Sequence, residues 1–149
     1  MAANSKPADT LNELTLFIND RIAGYQTAAH ETKDAENQVY YQSLIQQSGQ
    51  FVNELNGFAI SAGGDGQDST TLKGKFYRGF MDAKALITNR NEQSILDSNI
   101  YGEEWALKAY REALEGGELP DATRAAVQRQ YEASQATYEK LKALKARGK

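Results

Sequence analysis

From Ala8 to Leu119 the chain contains no proline, and its only two prolines, Pro7 and Pro120, lie at the edges of apolar periodic stretches. A proline inside a helix removes a backbone hydrogen bond and clashes with the preceding turn, so this spacing leaves several long segments free to be helical. Apolar residues recur in them every three or four positions. Leu11, Leu14, Ile18, Tyr25 and Ala29 share one face of a first segment running to about Thr32. It opens on Thr10-Leu-Asn-Glu13, the spacing of a capping box. Asp34 is placed to cap a second segment, in which Tyr41, Leu44, Ile45, Ser48, Phe51, Val52, Leu55, Phe58 and Ala59 form a stripe that stops at Gly63-Gly64.

After a polar stretch from Gly63 to Thr70, Leu72, Phe76, Phe80, Ala83 and Ile87 predict a shorter amphipathic helix. Asn89 or Asn91 can cap a third long helix carrying Ile95, Leu96, Ala106, Leu107, Tyr110 and Leu114 and ending at Gly116-Gly117. Pro120 suits the first turn of a fourth, with Val127, Tyr131, Tyr138, Leu141 and Leu144 on its inner face. The pattern predicts an all-α four-helix bundle over residues 9–146, with 1–8 and 147–149 as flexible ends and a short additional helix in the long connection between helices two and three. Short turns make helices one and two, and three and four, antiparallel neighbours. The long connection lets helices two and three run parallel, although an up-down-up-down bundle with a decorated loop is also compatible.

The runs Asn19-Asp-Arg-Ile-Ala-Gly-Tyr25 with Ala28-Ala29, Arg78-Gly-Phe-Met-Asp82, Gly102-Glu-Glu-Trp-Ala-Leu-Lys-Ala-Tyr110 and Gln128-Arg-Gln-Tyr131 resemble, in order, an uncharacterised bacterial four-helix-bundle family regarded as ferritin-like and of unknown function. The resemblance covers about Leu11 to Leu144. It implies the crossover topology and supplies no activity; a link to general stress physiology comes only by association.

Composition narrows the chemistry. Cysteine is absent, which excludes disulfides, thiolate metal sites and cysteine nucleophiles and suits a reducing, cytoplasmic setting. The net charge of -3 offers no broad basic field for nucleic acid, and no apolar run approaches membrane-spanning length. Lys73, Lys75, Arg78 and Lys84 lie among Phe76, Tyr77 and Phe80, but helical spacing sorts the apolar and cationic residues onto separate faces.

A ferritin-like di-metal site requires a carboxylate from each of two helices and a Glu-x-x-His pair from each of the others. Asp20, Glu54, Glu104 and Glu132 are the metal-ligand candidates, with Glu103 and Glu139 as alternatives to the last two. The sole histidine, His30, lies near the end of helix one, so no Glu-x-x-His exists, and solvated surface carboxylates are the ordinary reading of these residues. No cofactor is expected; a di-metal centre of iron or manganese is the alternative. Five tyrosines, Tyr25, Tyr41, Tyr110, Tyr131 and Tyr138, fall on or beside apolar stripes, and with Ser48, Asn99 and Ser134 they predict a hydrogen-bonded polar layer inside the bundle. The functional expectation is a non-catalytic bundle acting through association, as a homo-oligomer with no nucleic acid or membrane partner. Tyr40, Trp105 and Leu107 are its candidate contact residues; a degenerate carboxylate-rich metal binder or oxidase-like relative is the alternative.

Overall fold

The computed structural model describes residues 6–63, 91–116 and 118–148. Four long helices account for nearly all of them: α1 (Lys6–Glu31), α2 (Ala35–Ser61), α3 (Glu92–Gly116) and α4 (Asp121–Ala146). Among the described residues none of these helices is long and apolar enough to cross a membrane. The additional helix predicted around Leu72 to Ile87 lies outside the described residues.

Local chemistry sets most helix ends. The Asp34 side chain accepts a hydrogen bond from the Asn37 backbone N–H at 2.9 Å, and Asn91 does the same for Ser94, so Asn91 is the cap of α3. α2 ends where Gly63 takes a φ of +93°, a conformation that suits a residue without Cβ. Two expected boundaries need correction. α1 begins one turn before the capping box, at Lys6, because Pro7 is tolerated in a first turn; Lys6 to Ala8 belong to the helix, and Ala8 is buried. Pro120 is the N-cap of α4 rather than its first helical residue: its backbone is extended (ψ 159°), and its carbonyl accepts from the Arg124 N–H at 2.8 Å.

Cross-helix pairs give the directions. Arg21 on α1 and Thr32 just after its end meet Glu103 and Glu92 on α3, in reversed order, so these helices are antiparallel. Tyr25 stacks on Tyr41, and Arg21 bonds to Ser48, which makes α1 antiparallel to α2 as well. Tyr110 with Gln130 and Asp97 with Lys145 relate α3 and α4 in the same way. α2 and α3 therefore run in the same direction, the first of the two arrangements that the sequence allowed.

The core is divided along the bundle axis. At one end Leu11, Leu14, Ile18, Phe51, Leu55, Tyr110, Leu114 and Val127 form one apolar cluster. At the other, Tyr25, Ala28, Tyr41, Leu44, Ile95, Leu96, Leu141 and Leu144 form a second. Between these two sets each helix contributes buried polar side chains, Asp20 and Arg21 on α1, Ser48 on α2, Asn99 and Glu103 on α3, and Gln130, Ser134 and Thr137 on α4.

Beyond the second cluster, Glu92 fastens the start of α3 to the α1–α2 turn. Its carboxylate accepts from the Thr32 hydroxyl at 2.5 Å and from the Lys33 backbone N–H at 2.8 Å. Replacing it removes charge-assisted bonds at the point where three helices meet. Glu92→Ala is expected to cost about 1–3 kcal/mol in urea denaturation, with little change in helical content by circular dichroism.

Candidate functional site

Arg21 and Glu103 form a fully buried ion pair at the middle of the bundle, with Nε 2.7 Å from the carboxylate and side-chain exposures of 2% and 0%. Each lies on its helix's inward stripe: Arg21 falls between Ile18 and Tyr25, and Glu103 between Leu96 and Ala106 with Tyr110 beyond. Burying either charge alone is costly, so the important question is how completely each is satisfied.

The Arg21 guanidinium donates from Nη1 to the Ser48 hydroxyl at 2.7 Å and to the Gln47 side chain at 3.3 Å, and from Nη2 to the Thr137 hydroxyl at 3.3 Å. Glu103 accepts from Arg21 and from the Tyr25 hydroxyl on one oxygen, and from the Ser134 hydroxyl on the other at 2.5 Å. Ser48 and Thr137 pass their own protons to the carbonyls of Leu44 and Ala133 one turn back in their helices. All four helices thus contribute to one network.

A second chain of bonds lies next to it on the α2–α4 side. Tyr110 donates to Gln130 at 2.9 Å, Gln130 donates to Glu54 at 2.7 Å, and Glu54 pairs with Arg129 at the surface.

Electrostatics follow from this burial. Desolvation, the largest single effect, lowers the Arg21 pKa, but the Glu103 charge and hydrogen bond together with Tyr25 and Tyr110 outweigh it, and the net shift is upward. Tyr25 is raised well above the ordinary tyrosine value of 10.0, first by burial and then by the Glu103 carboxylate. Tyr110 and Tyr40 are raised chiefly by burial.

The sequence candidates are placed as follows. Asp20 is buried on α1. Glu54 is half-buried and paired with Arg129, Glu104 is exposed and accepts from Tyr138 at 3.1 Å, and Glu132 is exposed and accepts from Gln128 at 3.0 Å. Among the described residues no three His, Asp or Glu side chains gather into a group able to hold a metal ion. Glu103, rather than Glu104, faces the interior. Neither Glu132 nor Glu139 does, since the inward register of α4 is Val127, Gln130, Ser134, Thr137 and Leu141.

The expected polar layer contains Tyr25, Ser48 and Ser134, whereas Asn99 bonds within its own helix, to the Ile95 carbonyl at 3.0 Å. Arg21 and Glu103 were missed as a site. Their position within otherwise apolar stripes was the available signal. His30 is exposed in the last turn of α1.

Of the expected contact residues, Leu107 is buried within the chain and offers no surface, a correction that follows from its place on the inner stripe of α3. Tyr40 is half-buried beneath the Lys140 ammonium, 4.7 Å from its ring centre. Trp105 is half-buried between Phe17 and Tyr101, with ring centroids at 6.4 and 6.2 Å. A groove of about 290 Å³ between the start of α1 and the end of α3, bordered by Lys6, Glu13, Ala109 and Glu112, reaches none of the buried network.

The fold and its centre define a four-helix bundle built around a buried ion pair that is hydrogen-bonded by side chains from all four helices. Residues 6–116 match the model of a family described as a domain of unknown function (DUF2383), and the chain belongs to that family. No curated protein matches the chain significantly.

Two outcomes test the electrostatic description. Glu103→Gln strands the Arg21 charge and is expected to cost about 3–5 kcal/mol in denaturant unfolding, whereas the joint replacement Arg21→Met with Glu103→Leu should recover most of that loss. The raised phenols set an alkaline limit. In the unfolded chain they ionise near 10.0, while in the folded chain they keep their protons to higher pH. The folded state then binds more protons, so these groups leave stability unchanged below that value and reduce it as pH rises above it. Tyr25→Phe should make the alkaline decline shallower when unfolding is followed by circular dichroism and tyrosinate absorbance.

Proposed function

We propose that this chain is a non-catalytic, ferritin-like bacterial bundle that acts in the cytoplasm through self-association, with a place in general stress physiology. The observation that carries this reading is the enclosed centre, whose two charges are both buried and bonded mainly to each other and to neighbouring side chains. A reactive carboxylate or base needs an open lone pair facing a space that substrate can enter. Here both oxygens of Glu103 are engaged by side chains from α1 and α4, and the four Arg21 bonds extend to α2, α3 and α4.

The parallel run of α2 and α3 supports the ferritin-like part, since a bundle with one long crossover has that arrangement. The absence of cysteine supports a reducing compartment. Function then falls to the outer surfaces of the helices.

Sedimentation equilibrium over a wide concentration range tests the proposal. The expected result is an average mass that rises above that of one chain; a monomer throughout would overturn it. Elemental analysis of chelator-free protein supplied with ferrous iron and manganese tests it from the other side. Retention of about two metal ions per chain, lost on changing Glu54 and Glu104 to Gln, would replace it with a carboxylate metal centre.

A further inference from the structure

The outward face of α2 differs from the exposed faces of α3 and α4. Val39, Gln42, Gln46, Gly49, Asn53, Gly57 and Ile60 follow one another at steps of three or four residues, so they form one stripe along the helix. All are exposed except Gly49, which is half-exposed, and Val39 and Ile60 are large apolar residues with 67% and 60% of their surface in solvent.

No charged residue occurs in that stripe. The single exposed charge on α2 is Glu36, at its first turn, and Glu54 is turned toward Arg129 of α4. α4, by contrast, exposes Arg124, Glu132, Glu139 and Lys140, and α3 exposes Glu104, Lys108 and Arg111. Depletion of charge from an exposed face is the compositional mark of a surface that is desolvated in use, because uncharged amides lose far less on leaving water than charges do.

The glycines add a second observation. A glycine inside a helix is destabilising relative to alanine, because its backbone loses more freedom on folding. A Cβ built at Gly49 or Gly57 would meet nothing within 4 Å, so packing among the described residues accounts for neither. Without side chains, those positions let another helix approach closely.

We propose that this face is a twofold interface with a second copy of the same chain, α2 lying antiparallel on α2 with Gly49 near the axis. The proposal rests on the self-association reading above and assigns it a surface. The face is complementary to itself. Each Gln or Asn amide carries both donors and acceptors, so like pairs with like, and no charge calls for an opposite charge on the partner.

Val39 and Ile60 are placed almost symmetrically about Gly49, so the antiparallel arrangement sets Val39 of one copy against Ile60 of the other. A parallel arrangement would bring the two Glu36 carboxylates together, whereas the antiparallel one separates them by about 40 Å, the length of 27 helical residues. A strip of that length and about 10 Å wide covers about 400 Å² per copy, which puts the pair at the weak, concentration-dependent end of specific interfaces.

The absence of native cysteine makes single-cysteine variants of the full chain clean probes. Under mild oxidation Gly49→Cys should cross-link to itself in a concentration-dependent way. Val39→Cys should cross-link to Ile60→Cys when the two are mixed but not to itself, and Glu132→Cys on α4 should form no cross-link. Gln46→Glu, which places like charges across the axis, should weaken association at least tenfold in sedimentation while leaving the circular dichroism spectrum unchanged.

A monomer at every concentration would overturn both this proposal and self-association. A dimer that survives Gln46→Glu and cross-links through Glu132→Cys instead of Gly49→Cys would overturn the α2 surface alone. Self-cross-linking of Val39→Cys would overturn the antiparallel arrangement.

Discussion

A guanidinium and a carboxylate removed from water at the centre of a small bundle must find nearly all their partners among the surrounding side chains, and that requirement organises the rest of the structure. Arg21 reaches Ser48 on α2, Glu103 on α3 and Thr137 on α4, and Glu103 reaches back to Tyr25 on α1 and across to Ser134 on α4. Coulombic attraction in a low-dielectric interior offsets much of the desolvation cost, and the neutral hydrogen bonds complete the compensation. An apolar core of similar volume would be nearly as stable. What the ion pair supplies is register: sliding any helix by one turn, about 5.4 Å, would carry its contribution out of hydrogen-bond range and leave a buried charge partly unsatisfied.

The two apolar clusters depend on that register. Their residues are at matched heights only when Ile18 and Tyr25 flank Arg21, Leu44 and Phe51 flank Ser48, and Leu96 and Tyr110 lie on either side of Glu103. Hydrophobic burial is non-directional and tolerates many nearly equivalent packings, so it does not by itself choose among helix offsets. The polar layer chooses. At the end nearer the α1–α2 turn, Glu92 repeats the device with a side chain that binds that turn, which ties the start of α3 to its neighbours.

The parts of this fold that depend on local chemistry were legible in the sequence. The Asp34 cap, the glycine stop at Gly63 and the apolar stripe of α1 are properties of a few adjacent residues, and each is present where the spacing placed it, whereas on α4 Tyr131 and Tyr138 lie beside the inward register rather than in it. The start of α1 was misplaced because a capping-box sequence can also occur inside a helix, and the turn before Thr10 tolerates its proline. The ion pair was harder to read. Arg21 and Glu103 are separated by 82 positions, and nothing local to either marks the other as its partner. The choice between Glu103 and Glu104 required the rotation of α3 to within one residue, which pattern reading does not fix. The same limit applied to Glu132 and Glu139 on α4, where the inward positions proved to be Gln130, Ser134 and Thr137.

Charge is distributed in an order opposite to the usual one at two places: a full ion pair is buried, and one long exposed helix face carries charge only at its first turn. The two are connected by geometry. Ser48 and Gln47 face inward toward Arg21, while Gln46 and Gly49, their immediate neighbours in sequence, lie on the outward stripe. A helix of 3.6 residues per turn carries both surfaces at once, and the network that pins α2 on its inner side also fixes the rotation with which its outer side is presented. A rigidly oriented uncharged stripe loses less conformational entropy on association than a mobile one, so the buried ion pair would favour contact at the surface without touching any partner itself.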